Sequence, residues 1–190
     1  MEALKAIRSA VPTFEPVTRD EVKDHLRIAR SNEDHHDTIA RLIQVAREEF
    51  EADTDYVLST GTYVVKLDNW PCGDCIELPI RPVSAITSIT YVDSAGATQT
   101  VDSSDYSLNI YEPRYEIQLG YNETWPSTRG WENDITVTMV AGYATASVIP
   151  LRAKQACLIK IQSLFEGDPK WVLEKAYDWM VKKFARSTYP

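Results

Sequence analysis

The stretch RPVSAITSITYVDSAGATQTVDSSDYSL, residues 81–108, decides the fold. It opens at a proline, alternates apolar and polar like a strand, turns at Ser94-Ala95-Gly96-Ala97, alternates again and stops. A period of two with β-branched residues argues for a hairpin. Nothing in it has the look of a catalytic group. The neighbouring segments read the same way: TYVVKLDNW (62–70), CIELPI (75–80), YSLNI (106–110), YEIQL (115–119) and ITVTMVAGY (135–143), with AITSITYVD (85–93) and TQTV (98–101) inside the quoted stretch. Pro, Gly, Asp and Asn separate them. The spacings are too short for helical crossovers, so the sheets are expected to be antiparallel.

Outward from this block the period changes to 3.6. Residues 1–16 hold two prolines and read as an extended arm. Thr18-x-x-Glu21 is a capping box that starts a helix with a narrow stripe of Val22, Leu26 and Ala29. After the polar break SNEDHHD (31–37), with Ser31 or Asn32 as the cap, a longer amphipathic helix aligns Ile39, Leu42, Ile43, Ala46 and Phe50. Arg41, Arg47, Glu48 and Glu51 fall off that arc. On the far side, Pro150 opens LRAKQACLIKIQSLFEG (151–167), where Leu151, Ala153, Ala156, Cys157, Leu158, Ile161, Leu164 and Phe165 leave only a small polar sector. A carboxylate at Leu158 or Leu164 is therefore expected to abolish folding. Gly167 ends this helix, and Asp168-Pro169 caps a last one, KWVLEKAYDWMVKKFAR (170–186). The reading is α+β: a small helical bundle of two N-terminal and two C-terminal helices with an antiparallel β-rich insertion. It places the arm at 1–16, helices at 17–56, the insertion at 60–145 and helices at 150–186 of a single domain.

Composition narrows the function. The chain has 190 residues, 44% hydrophobic and 25% charged, as in soluble globular proteins. Its net charge of −8 argues against a sequence-independent nucleic-acid binder. It suits a conduit through which DNA slides. Residues 1–16 lack the apolar core of a signal peptide, and no apolar run reaches the length of a membrane span. Three cysteines argue against a disulfide framework and for free thiols in a cytoplasm. Cys72-Gly-Asp-Cys75 has the spacing of half a zinc site, but no second pair completes it. It reads as a turn, and Cys157 as core packing. With three histidines and no glycine-rich phosphate loop, no catalytic constellation assembles. No catalytic residue, cofactor or metal is expected.

Aromatic residues carry the interaction signal. Trp125 and Trp131 flank the loop NETWPSTRGWEND (122–134) and either close the sheet core or anchor a partner. In the last helix Trp171 projects opposite the arc of Val172, Leu173, Ala176, Tyr177, Met180, Val181 and Phe184, and Trp179 lies at its edge. The cationic, aromatic end KKFARSTYP (182–190) suits an acidic partner. Trp171, Trp179, Phe184, Tyr189, Trp125 and Trp131 are the expected partner-binding residues. Truncation after Gly167 is expected to leave a folded protein that fails to dock. The competing reading is that Leu173, Tyr177, Met180 and Phe184 complete the bundle core.

Several phrases, in order, resemble one family. PVTRDEVKDHLRI (16–28), DTIARLIQVAREEFEADTD (37–55), LDNWP (67–71), IELPIRPVSAITSITYVDSAGATQTVDSSDY (76–106) and ITVTMVAGYATASVIPLRAKQACL (135–158) are similar to the head–tail connectors of tailed phages. These are also called adaptor or head-completion proteins, and the same fold occurs in gene transfer agents. The tryptophan-rich 170–190 departs from the family's shorter Glu/Arg-rich tail. The resemblance implies assembly rather than catalysis, in a phage or phage-like particle assembled in the bacterial cytoplasm. It implies a ring, expected to be dodecameric, beneath the portal, presenting a surface to a stopper or tail-completion protein. The C-terminal segment would dock on the portal. The β insertion would be an arm contacting neighbouring subunits and the next ring. DNA would pass without specific binding, and no membrane is involved. The alternative is a monomeric β-rich ligand-binding module.

Overall fold

A computed structural model describes residues 5–167 and 171–182. Their elements are β1 (Ala6–Arg8), α1 (Arg19–His25), α2 (His36–Thr54), β2 (Gly61–Leu67), β3 (Cys75–Glu77), β4 (Val83–Val92), β5 (Thr98–Thr100), β6 (Tyr106–Tyr111), β7 (Arg114–Leu119), β8 (Ile135–Ala141), α3 (Leu151–Glu166) and α4 (Trp171–Val181). The fold is α+β, with every strand pair antiparallel. The described chain divides into two compact units. Residues 5–11 and Thr60–Gly142 form a β unit, and Pro12–Ser59 with 143–167 and 171–182 form a helical unit.

In the β unit a five-stranded sheet runs β1-β2-β8-β4-β5 and a three-stranded sheet runs β3-β7-β6. β8 is central because it is fully paired on both sides, Val137 meeting Val65 of β2 and Ile89 of β4. Its alternation buries Ile135, Val137, Met139 and Ala141 and turns Thr136, Thr138 and Val140 outward. Ile76, Tyr115, Ile117 and Leu119 are the buried side chains of the smaller sheet. The turn of the opening hairpin is built by Asp93. Its carboxylate accepts the amides of Ala95 and Ala97, each at 2.9 Å, and the Gln99 side-chain amide at 2.9 Å. The Gln99 bond first, then the Ala97 amide, holds this carboxyl below its usual range. Gly96, at φ +85°, takes the left-handed position that a side chain would strain. Within the stretch read as an arm, Ala6–Arg8 is extended but paired, Ile7 opposite Val64 of β2.

The helical unit is assembled around α3. Ala153, Ala156, Cys157, Ile159 and Ile161 are buried on it, among Val22 of α1, Ile39, Ile43, Ala46 and Phe50 of α2, and Tyr177 and Val181 of α4. The Thr18 capping box is complete: Glu21 N–H donates to Thr18 Oγ1 at 3.2 Å, and Thr18 N–H to Glu21 Oε2 at 2.6 Å. Gly167, at φ +67°, closes α3 as expected. Other expectations are corrected. Ala29 lies beyond α1, which ends at His25 with Leu26 as its C-cap, and is exposed. The N-cap of α2 is His35 rather than Ser31 or Asn32, because Asn32 spends its side chain on the Asp34 amide. α3 is less apolar in its setting than in its sequence: Leu151 is 82% and Leu164 38% exposed.

Arg47 is also corrected, from the polar face to the interior, at 4% exposure. The guanidinium pairs with Glu15 at 2.9 Å, Glu51 at 3.2 Å and Glu48 at 3.2 Å. Burial works against its charge, yet the carboxylates of Glu51 and Glu15 raise its pKa further. Glu51 also accepts the Leu58 amide at 2.8 Å, tying the chain after α2 back onto the helix.

Candidate interaction surface

α4 has one buried face and one exposed face. On the inner face Tyr177 is buried and its hydroxyl donates to Asp53 Oδ2 at 2.9 Å. Lys160 Nζ lies 5.0 Å from the Tyr177 ring centroid and ion-pairs with Glu49. Burial, then the hydrogen bond and charge of Asp53, push the Tyr177 hydroxyl far up, so it stays a donor. Val181 is buried beside it, and Leu173, Ala176 and Met180 pack against the same core.

The outer face carries Trp171 and Trp179, 66% and 57% exposed. They stand eight residues apart, on one side of the helix, with Lys175 midway. Lys175 Nζ sits 4.5 Å from the Trp171 ring, and Arg152 of α3 holds its guanidinium 5.2 Å from the Trp179 ring. Val172, Leu151 and Val148 are exposed as well. Trp171, Lys175, Trp179 and Arg152 make a cationic and aromatic face whose two indoles are exposed among the described residues. Trp171 was expected outward and is. Val172 was placed on the inner arc and is exposed instead. Sequence reasoning missed Arg152, which comes from a different helix. Phe184 and Tyr189 lie outside the described residues.

In the β unit Trp125 and Trp131 behave differently from each other. Trp125 stacks on Trp70, centroids 4.4 Å apart and planes 7° from parallel, and its indole donates to Gly73 O at 3.2 Å. Trp70 donates to Pro126 O at 2.7 Å and meets Tyr91 edge-on at 6.2 Å. Trp125 thus belongs to an aromatic clasp, and the signal for Trp70, an aromatic directly before Pro71, went unused. Trp131 is 66% exposed, with the Arg129 guanidinium 4.6 Å from its ring. Arg129 is held by buried Asp134 at 2.6 Å, which also accepts the Trp131 amide at 2.7 Å. Burial opposes charge on Asp134, but these bonds win and keep its carboxyl below the usual range.

Cys72 and Cys75 are exposed in the turn entering β3, and Cys157 is buried, its thiol pushed up to about 12 chiefly by burial. A cavity of 670 Å³ in the helical unit has an apolar floor of Phe14, Val17 and Ile43. Its buried Lys23 is already committed to Arg30 O at 2.8 Å and Glu33 at 3.1 Å. The Lys23 hydrogen bond in turn lowers the Glu33 carboxyl. Among the described residues no three His, Cys, Asp or Glu side chains are grouped to hold a metal, and no helix is long and apolar enough to cross a membrane.

No family model matches the chain, and no curated protein matches it significantly. Solved structures do. A chain in the neck of an empty gene transfer agent (GTA) particle, computed with C6 symmetry, aligns at TM-score 0.78 and 21% identity, over 98% of this chain and 97% of that one. A chain in the virion of a native GTA particle aligns at TM-score 0.78 and 18% identity, over 97% of each. A chain in the neck of a native GTA particle, computed with C12 symmetry, aligns at TM-score 0.71 and 22% identity, over 98% and 97%. At these identities the likeness is one of fold, and it runs end to end.

Proposed function

We propose that the chain is a structural component of the neck of a tailed phage or phage-like particle, a head–tail connector rather than an enzyme. Copies form a ring beneath the portal that prolongs the DNA channel and joins the head to the tail. The observation that carries this reading is the fold shared over nearly the whole chain with proteins of GTA necks. The sequence phrases that resemble the connector family support it independently. Twelve copies is the expected number, and the partners are the portal on one side and a stopper or tail-completion protein on the other. Charge fits the role: residues 5–11 and 60–142 hold eleven acidic against six basic side chains, so phosphates are repelled rather than gripped.

The outer face of α4 is the proposed docking element, with Trp171 and Trp179 as its anchors. A tryptophan at the centre of an interface contributes about 2 kcal/mol or more. The double substitution Trp171→Ala/Trp179→Ala should leave the circular dichroism spectrum unchanged, since both rings are exposed. It should remove the chain from purified particles, read by immunoblot. Normal incorporation of the double variant would overturn the docking role of this face.

A further inference from the structure

The two sheets have four edge strands, and three of them, β1, β3 and β5, are only three residues long. The fourth, β6, is six residues of sequence YSLNIY, with no charge, proline or glycine. Natural sheets blunt long edges with such residues, and this one does not. Its pairing with β7 sets which backbone groups face outward. Leu78 N–H donates to Tyr115 O and Leu119 N–H to Asp74 O, both at 2.8 Å, so Tyr115 and Leu119 bond toward β3. Their cross-strand partners are Ile110 and Tyr106, with Leu108 midway opposite Ile117. In an antiparallel ladder these three residues turn their N–H and C=O groups away from β7. Among the described residues nothing pairs with them. Their side chains share the face of buried Tyr115, Ile117 and Leu119, yet remain half-exposed, and Ile110 is 52% exposed. Backbone bonds and apolar cover are missing along the same line.

We propose that β6 pairs with β6 of a second copy of this chain, antiparallel about a two-fold axis at Leu108. The segment is complementary to itself in that register. Leu108 meets its own copy, and Tyr106 and Ile110 exchange an aromatic–β-branched pair on each side. Ser107 faces Asn109, and no like charges are opposed. Each copy's six outward N–H and C=O groups are satisfied, and the two three-stranded sheets become one of six strands. An isologous contact of this kind closes at two copies. The pairing itself does not depend on the ring reading, but one consequence does. A ring whose subunits all point the same way has no place for a two-fold contact, so β6 pairing would belong to the free protein and be released on assembly.

The test is sedimentation of the full-length chain over a range of concentrations, with two variants. Ile110→Lys puts a charge on an exposed edge position, and Leu108→Pro removes one outward N–H that the fold of the protomer does not use. The wild type should sediment as a dimer, and either folded variant should dissociate at least about tenfold more readily. A third variant, Ser107→Cys/Asn109→Cys with Cys72→Ser and Cys75→Ser, should form a disulfide-linked dimer under mild oxidation, because these two positions face each other as a non-hydrogen-bonded pair, with Cα atoms about 4.5 Å apart and within disulfide reach. A wild-type chain that stays monomeric, a dimer indifferent to Ile110→Lys, or a Ser107→Cys/Asn109→Cys variant that fails to cross-link would overturn the proposal.

Discussion

Ala156→Asp should abolish folding, whereas Leu164→Asp should leave a soluble, cooperatively folding protein. Ala156 is fully buried at the heart of the helical unit, in one core with Phe50 and Tyr177. A carboxylate there loses its water in a tightly packed apolar core, which costs several kcal/mol or more. Total stability of a domain is only about 5–15 kcal/mol. Leu164 is 38% exposed on the same helix, so a charge there keeps its solvent. Sequence alone placed Leu164 in the interior, because apolar residues on nearly every side of α3 imply a helix covered on every side. Thermal melts followed by circular dichroism check both. A cooperative melt for Ala156→Asp, or none for Leu164→Asp, would contradict the packing described.

Truncation after Gly167 should give an insoluble or molten protein, not the folded, docking-defective one that the sequence suggested. The deletion removes α4, and with it Tyr177 and Val181 from the core. Fully burying a side chain the size of Val contributes about 1.5–3 kcal/mol, and Tyr177 adds its ring and its bond to Asp53. Leu173, Ala176 and Met180 lose their packing too, and Ile159 and Lys160 of α3 lose neighbours. Such a sum is comparable with the whole stability. A truncated chain with native far-ultraviolet signal and a sharp melt would show that α4 is an appendage. The contrast with Trp171→Ala/Trp179→Ala separates the two faces of this helix: one is core, and the other is proposed to dock.

What was legible in the sequence was whatever local physics determines. β8 alternates strictly because one of its faces is buried, and Thr18 with Glu21 caps α1 using only its own turn. The two strands of the opening hairpin were found within a residue or two of their ends, while β2 and β3 stop three residues before the sequence placed their ends, and Asp93 with Gly96 fixes the turn locally. What failed depended on partners distant in the chain. Ala6–Arg8 is a strand only because β2 lies alongside. Arg47 is charged and reads as surface, yet Glu15, some thirty residues earlier, helps it to be buried. The Trp70–Trp125 stack joins residues from separate loops, and Arg152 reaches Trp179 from another helix. Of the six residues expected to meet a partner, Trp171, Trp179 and Trp131 are exposed and Trp125 is half-covered by its stack.

The central claim is that this chain is a ring component of a particle neck. Electron microscopy of intact particles containing the chain, with symmetry imposed only after an unsymmetrised reconstruction, tests it most directly. The expected result is a closed ring of copies between head and tail, twelve in number, around a continuous channel. Density that places the chain elsewhere in the particle, or as isolated single copies at the neck, would contradict it.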